Sequence, residues 1–162
     1  MIAFRPHRAQ PRSAGQMAAA VAKLARMDPE DQERLEALAE RETAYGLFQR
    51  AGALLKRRHH AQAAVLLERA DKLEPGKGSI VEALARAYYN SGQHDRAEEA
   101  FRGLLDIDPS SAYGHFGLGQ SLKMLGRRDE ARTHLRLAVA LAPANSLYRN
   151  ALTRLGGGGG TK

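Results

Sequence analysis

The sequence predicts an all-α solenoid, a row of stacked antiparallel helix pairs, and three observations support this prediction. Residues 78–111 and 112–145 are the same 34-residue unit written twice. Identical residues recur one period apart at Leu84 and Leu118, Gly92 and Gly126, Ala97 and Ala131, and Pro109 and Pro143. Each unit holds two apolar stripes with helical spacing. A glycine separates the two stripes, and a proline closes the unit.

The middle unit illustrates why each unit is expected to be two antiparallel helices. Its first apolar stripe consists of Val81, Leu84, Ala85 and Tyr88. Residues 90–92 break this stripe, and Asp95 is predicted to cap the second helix. The small Ala97 lets the two helix backbones approach closely, while Phe101 fills the space toward the next pair. One pair cannot bury its own stripe, so about three stacked pairs are needed for stability.

The composition favours a chain that folds without disulfides or a membrane span. The 162 residues contain no cysteine, which excludes disulfides and thiolate metal sites. They are 43% hydrophobic, which is sufficient for a folded core. The small or apolar run at 17–22 is too short for a signal-peptide core or a membrane span, so a cytoplasmic location is expected. The net charge is +7, but acidic residues outnumber basic ones in 78–111. The basic residues therefore do not form one uniform stripe.

Two segments precede the repeats. Residues 1–27 are basic near their start and are predicted to be flexible, with a short helix over 17–27. An organelle-targeting segment is the alternative, because such peptides are rich in arginine and poor in acids. Residues 28–43 are predicted to form a helix, since Asp28 can cap it and Pro29 suits the first helical position. This helix does not fit the repeat register, so we expect it to cap the exposed end of the first repeat.

Residues 44–77 are predicted to be the first repeat, although they fit the register less well than the later units. Seven positions match: Leu47, Ala51, Leu54, Ala63, Leu67, Ala70 and Pro75. Arg50 stands where Leu84 and Leu118 stand, and Arg58 replaces the glycine of the inter-helix turn. Glycine adopts a positive φ at no steric cost, so a distorted turn is expected at Arg58. The three repeats then span 44–145, divided into 44–77, 78–111 and 112–145.

The segment after the last repeat is predicted to close the stack. Residues 146–155 have a helical pattern in which Leu147 and Ala151 face the third repeat and the polar side chains stay in solvent. This helix is the predicted C-terminal cap. Residues 156–162 are a flexible glycine-rich tail. The tail is not a phosphate-binding loop, because no strand precedes it and no Gly-Lys-Ser/Thr pattern is present.

The repeat residues resemble the tetratricopeptide repeat (TPR) family. The family pattern is met by Leu84-Ala85, Tyr88, Gly92, Ala97, Phe101, Leu104 and Pro109, and again by Leu118-Gly119, Leu122, Gly126, Ala131, Leu135, Ala138 and Pro143. The resemblance covers about residues 44–155. It implies a right-handed α-solenoid of three TPR helix hairpins with N- and C-terminal capping helices, as in small stand-alone bacterial TPR proteins. Because TPR proteins include adaptors, chaperones and assembly factors, the resemblance implies binding of another protein without naming it.

By the same resemblance, the first helices of the hairpins line a concave groove that holds a peptide or a helix of a partner protein. The predicted groove residues are Tyr45, Phe48, Lys56, Glu82, Arg86, Tyr89, Asn90, Tyr113, Phe116, Gln120 and Lys123. Aromatic residues and arginine on one exposed face suit a protein interface. The alternative is that the aromatic residues only pack between neighbouring hairpins. We expect an acidic or amphipathic peptide along Lys56, Arg86 and Lys123.

Some TPR proteins clamp a C-terminal carboxylate with lysine and asparagine on these helices. Here the matching positions are held by Phe48, Gly52, Tyr113 and Gly117. A clamp of this kind is therefore not expected.

Two other functions remain open at this stage. Residues 56–60 and the pair Arg127-Arg128 lie at inter-helix turns that share one edge of the predicted stack, so they can face RNA or an anionic membrane. The middle turn at 91–95 is not basic and interrupts this path. A secretion-type TPR chaperone is the third interpretation, because such chaperones also have three repeats. The sequence indicates no oligomeric state.

An enzyme, a metal site and a cofactor are not expected. The six histidines occupy turns, repeat positions or the N-terminal segment, where packing or solvation accounts for them. His60 and His94 share one repeat position, and His115 and His134 lie in the third unit. Ser121 has no neighbouring base or strained turn in sequence that indicates a nucleophile. No catalytic residue is therefore assigned.

Overall fold

The computed structural model describes residues 14–41 and 43–156, and within these ranges all regular structure is α-helical. The helices are α1 (Ala14–Leu24), α2 (Pro29–Arg41), α3 (Ala44–Lys56), α4 (His60–Leu73), α5 (Gly78–Asn90), α6 (His94–Ile107), α7 (Ala112–Met124), α8 (Arg128–Leu141) and α9 (Ser146–Gly156). The chain divides into two compact units, Met1–Glu40 and Arg41–Lys162. Within the described ranges, no helix has the length and apolar character needed to cross a bilayer.

The first unit contains α1 and most of α2. The backbone N–H of Gln32 donates to the carbonyl of Asp28 at 3.0 Å, so α2 starts just after Asp28, as the sequence predicts. Leu35 and Leu38 on α2 are exposed. Helix α1 lies within the segment that was expected to be flexible apart from one short helix, and residues 1–13 lie outside the described residues. The capping role of residues 28–43 stays a prediction.

The second unit is a row of three helix hairpins, and the predicted solenoid is confirmed. The hairpins are α3–α4, α5–α6 and α7–α8, each packs on the next, and α9 packs on α8 and α7. Pro75, Pro109 and Pro143 lie between α4 and α5, between α6 and α7, and between α8 and α9. Proline stands at these junctions because it cannot continue the preceding helix. The glycine-rich tail at 157–162 lies outside the described residues.

The core has the same arrangement in every hairpin. Ala63, Ala97 and Ala131, one per second helix, are fully buried where the two helices of a hairpin meet. Their small side chains permit the close approach of the backbones that the sequence predicts. The larger Leu67, Phe101 and Leu135, one turn further on, are also buried. Phe101 lies against Gly117 of the following hairpin, as predicted, whereas Leu135 lies against Gly119 of its own hairpin.

The turns between first and second helices share one geometry in all three repeats. Arg58, Gly92 and Gly126 have φ values of 63°, 80° and 81°. In the first repeat the backbone N–H of His59 donates to the carbonyl of Leu54 at 2.9 Å, and equivalent bonds of 2.9 Å close the other two turns. The expected distortion at Arg58 is therefore wrong. The arginine instead adopts the left-handed conformation, at a steric cost of about 1 kcal/mol.

Two further expectations need correction. Helix α6 begins at His94 and has Gln93 as its cap residue, so Asp95 does not cap the helix but lies in its first turn. There its carboxylate still lies near the positive end of the helix dipole. In α9, Leu147 is 57% exposed and is therefore not buried against the third repeat, whereas Tyr148 and Leu155 are buried with Ala151. The large side chains that hold α9 are thus different from the one predicted.

Candidate functional site

The first helices α5 and α7, together with α9, surround a cavity of about 290 Å³. Its lining consists of Arg86, Tyr89, Asn90, Phe101, Tyr113, Phe116, Gly117, Gln120 and Leu147. The walls are mostly aromatic or aliphatic, and one cation and two amides interrupt them. A small apolar cavity with a few polar groups is typical of a binding site.

The floor of the cavity depends on Gly117. A Cβ atom at this position would lie only 2.2 Å from ring atoms of Phe101. Because glycine stands there, the ring of Phe101 can reach across from α6 to α7, where it packs edge-on against Tyr113 with ring centroids 6.0 Å apart. Phe101 is 1% exposed, so this floor is fixed by the core of the hairpin stack.

The far wall of the cavity is held by the C-terminal helix. The ring of Phe116 stacks on that of Tyr148, with centroids 4.7 Å apart and planes at 27°. Tyr148 is buried, whereas Leu147 beside it is exposed and lines the cavity. Helix α9 therefore stands where the first helix of a further repeat would stand, and it extends the face of first helices by one helix.

The electrostatics of the cavity combine neutral tyrosines with one unpaired cation. Burial raises the pKa of Tyr113; nearby Arg86 lowers it and Glu82 raises it, with a net rise. Burial also raises the pKa of Tyr89. Both phenols therefore remain protonated at neutral pH and can donate hydrogen bonds. In the part of the chain that the structure describes, Arg86 is exposed and has no carboxylate within 4.0 Å.

The structure distributes the predicted groove residues over three locations. Six line the cavity described above: Arg86, Tyr89, Asn90, Tyr113, Phe116 and Gln120. Tyr45 and Phe48 line a second cavity of about 190 Å³, together with Lys77 and Ile80 among others. Lys56, Glu82 and Lys123 line neither of these two cavities. The packing alternative holds in part for Phe48, Tyr89, Tyr113 and Phe116, since all four pack against the core and each also lines one of the two cavities.

Sequence reasoning missed Phe101, Gly117 and Leu147 as members of this site. The signal for Leu147 was available, because it stands one repeat period after Tyr113, which is one of the predicted groove residues. The contact between Phe101 and Gly117 could not be found in the same way, since it depends on the distance between two helices.

The two basic turns differ in how their cations are used. Arg127 donates to Glu98 and to Glu130 at 2.7 Å each, and Arg128 donates to the backbone carbonyl of Leu155 at 3.0 Å. The turn of the first repeat, by contrast, exposes its cations at 56–58, and in the described ranges these have no ion pair within 4.0 Å. Of the two predicted basic clusters, the one at 56–58 therefore has cations without an internal ion pair among the described residues, whereas Arg127 and Arg128 are bonded within the fold.

Three of the histidines and Ser121 have contacts within the fold. The Nδ1 atoms of His115 and His134 lie 3.1 Å apart, at hydrogen-bond distance, and the ring of His94 packs edge-on against Tyr89. The buried hydroxyl of Ser121 donates to the carbonyl of Gly117 at 2.9 Å. Among the described residues, no three side chains of His, Cys, Asp or Glu are grouped as metal ligands.

A row of repeated helix hairpins with an open face of first helices defines a helical-repeat protein. The sequence model of the tetratricopeptide repeat family matches residues 54–115 and 91–155. Because these matches together cover more than half of the 162 residues, the chain belongs to the tetratricopeptide repeat family.

Similar proteins come from sequence and from structure. The chain is 28% identical over 90 residues to Protein bimA of Emericella nidulans and 29% identical over 87 residues to Superkiller complex protein 3 of Mus musculus. These matches cover 56% and 54% of the chain but only 11% and 6% of the two relatives. The chain therefore matches only a small part of the length of either relative.

Two solved structures share the fold at low sequence identity. The first TPR domain of Spaghetti (RPAP3), bound to the HSP90 peptide SRMEEVD, has a TM-score of 0.66 and 18% identity, covering 70% of this chain and 90% of that domain. The MamA RS-1 ArsTM double mutant has a TM-score of 0.69 and 19% identity, covering 86% of this chain and 80% of the other.

Proposed function

We propose that this protein is an interaction scaffold that binds a peptide or a helix of a partner protein along the face of its first helices. The observation that carries this proposal is the cavity between α5, α7 and α9, in which aromatic walls lie beside the unpaired Arg86. Binding of a partner that covers apolar surface of this kind lowers the free energy, because the surface is removed from water. In this proposal the chain has no catalytic role.

The structural relatives support the general mode of binding. The first TPR domain of Spaghetti (RPAP3) is described in complex with an HSP90 peptide. For this chain we propose a binding mode without a carboxylate clamp, because Gly52, Tyr113 and Gly117 stand where such a clamp would need lysine or asparagine. A partner held on this face is therefore expected to bind through an internal segment and not through its C-terminal carboxylate.

The charges of the groove favour an acidic or amphipathic segment. Lys56, Arg86 and Lys123 have no ion pair within 4.0 Å among the described residues, and Glu82 is the one predicted groove residue with a negative charge. Unpaired cations around an apolar cavity attract carboxylates and orient them during association. An acidic partner segment would therefore bind faster and in a defined direction.

Binding of a polyanion is the weaker candidate. A phosphate backbone would need a continuous track of free cations. Arg127 and Arg128 are engaged with internal partners, so among the inter-helix turns that the structure describes only the first-repeat turn offers free cations.

Site-specific photocrosslinking in cells tests the proposed function. A photoreactive phenylalanine analogue at Gln120, which lines the cavity, should give a defined adduct with a partner protein. The same analogue at Arg136, an exposed position on the second helix α8, is the control and should not give that adduct. Adding Arg86→Glu and Lys123→Glu should reduce the Gln120 adduct. The proposal would be contradicted if the adduct formed equally from both positions, or if its yield were unchanged by Arg86→Glu and Lys123→Glu.

A further inference from the structure

We propose that the cavity between α5, α7 and α9 is an anchor site for one large apolar side chain of the partner, with Arg86 binding an Asp or Glu at a neighbouring partner position. This inference rests on the proposed function and specifies the chemistry of the segment that is bound.

The size and the walls of the cavity indicate an apolar side chain. Its volume of about 290 Å³ lies near the lower end of the range of ~300–1,000 Å³ for pockets that hold whole ligands. It therefore suits one aromatic or leucine-sized side chain that remains attached to a chain. Leu147 is 57% exposed on the wall, so covering it removes apolar surface from water.

The cavity is already formed in the absence of a partner. Phe101 is held under the floor by its contact with Gly117, and Phe116 is held by the stacked ring of Tyr148. Side chains that are fixed before binding lose little conformational entropy when a partner arrives. A single anchor residue can then supply much of the binding energy, as in other interfaces with a buried central residue.

Charge complementarity specifies the neighbour of the anchor. Arg86 lines the same cavity. Its guanidinium has no ion pair within 4.0 Å in the described ranges, so it is free to bind a carboxylate through two hydrogen bonds. Glu82 lies one turn before it on α5 and repels a second acid on that side. The amides of Asn90 and Gln120 can bond to the backbone of an extended segment.

A displayed peptide library tests this inference with the full-length protein. Random twelve-residue segments are fused to carrier protein at both ends, so that no terminus is free. The wild-type protein should enrich segments that share one Phe, Tyr, Trp, Leu or Met with an Asp or Glu at a neighbouring position. Arg86→Glu should enrich Lys or Arg at that neighbouring position and keep the apolar residue. Segments selected on the wild type should bind Arg86→Glu at least tenfold more weakly.

A matched pair of variants tests the apolar anchor. Leu147→Glu puts a charge into the wall and should abolish binding of the selected segments, whereas Leu141→Glu, at an exposed leucine of α8 outside the cavity, should leave binding unchanged. Thermal unfolding of each variant verifies that the fold is kept. A synthetic peptide of residues 1–13 serves as a third probe. It contains Phe4 but no acid and should not compete.

The possible failures are distinguishable. Two results overturn the anchor inference and leave the proposed function intact. In the first, the selected segments lose binding to Leu147→Glu but share no large apolar residue. In the second, Arg86→Glu does not enrich Lys or Arg in place of Asp or Glu. If the selected segments bind all variants equally, or if the wild type enriches no more segments than Leu147→Glu does, the proposed binding in the groove is contradicted. Competition by the peptide of residues 1–13 overturns the assignment to an acidic partner in favour of binding within this chain.

Discussion

The first and third repeats reach the same hairpin geometry from different residues. The turn of the third repeat uses Gly126 and that of the first uses Arg58, yet both are closed by the same backbone hydrogen bond of 2.9 Å. Arg50 is exposed in the first repeat at the register position where Leu118 is buried in the third. The comparison indicates that packing between helices determines the turn, even against the preference of the residue within it.

The same two repeats differ in what their first helices offer a partner. In α7, Gly117 lets Phe101 form the floor of an aromatic cavity. In α3, Tyr45 is 68% exposed and belongs to the smaller cavity. Binding capacity is therefore expected to be uneven along the row, with the strongest site between the middle repeat and the C-terminal helix.

The largest expected effect follows from the close contact at Gly117. Gly117→Ala forces the buried ring of Phe101 to move, and we expect a loss of about 1–3 kcal/mol in the free energy of unfolding. Gly52→Ala on α3 is the matched control, because apart from its chain neighbours and the backbone of its own helix nothing lies within 4 Å of the added methyl group. It should stabilise the protein by about 0.5–1 kcal/mol through helix propensity. Urea unfolding measures both, and equal effects would contradict the packing account.

Exchange of the turn residues should produce opposite changes in stability. Arg58→Gly removes the strain of a left-handed arginine and should raise the free energy of unfolding by about 1 kcal/mol. Gly126→Ala introduces the same strain into the third repeat and should lower it by a similar amount. Thermal unfolding of the two variants at one pH provides the measurement. A destabilised Arg58→Gly protein would show that the arginine has stabilising contacts of its own.

A smaller effect is expected from the histidine pair of the third repeat. Burial lowers the pKa of His134 below its ordinary value of 6.5, and the neighbouring His115 and Arg102 lower it further, although Glu130 opposes them. The folded state thus binds a proton less readily than the unfolded state does. Stability should therefore fall as the pH drops below about 6.5 and level off below the folded-state pKa.

The first repeat supplies the variant that tests this pH effect. Leu66 stands where His134 stands, two repeat periods earlier, so His134→Leu should flatten the dependence of stability on pH between 7.5 and 5.5. His59→Gln, at an exposed turn position, is the control and should keep the wild-type dependence. Urea midpoints at the two pH values measure the effect. An unchanged slope in His134→Leu would place the titrating group elsewhere.

The sequence was sufficient for the repeat register because that register is a local pattern. Equal spacing of Ala97 and Ala131 and of Pro109 and Pro143 identifies the buried positions and the junctions without any knowledge of distances. The register also brings together six of the predicted groove residues at one cavity. Leu147 was missed as a member of the site because residues 146–155 were interpreted as a cap and not as a first helix.

Two features could not be predicted from a single sequence for physical reasons. The turn at Arg58 depends on a balance between local strain and packing of the whole hairpin, and only the first of these is visible in the sequence. The floor made by Phe101 and Gly117 depends on how closely α6 and α7 approach. A pattern along one helix contains no information about the distance to its neighbour.

The most direct test of the central claim is NMR mapping of a bound segment on the protein. Titration of the partner segment identified by crosslinking from Gln120 should shift the backbone amides of Arg86, Gln120 and Leu147, on three helices of one face. The amide of Arg136 on α8 should not move. Shifts concentrated at residues 56–60, with the cavity unaffected, would contradict the account and favour binding at the basic turn.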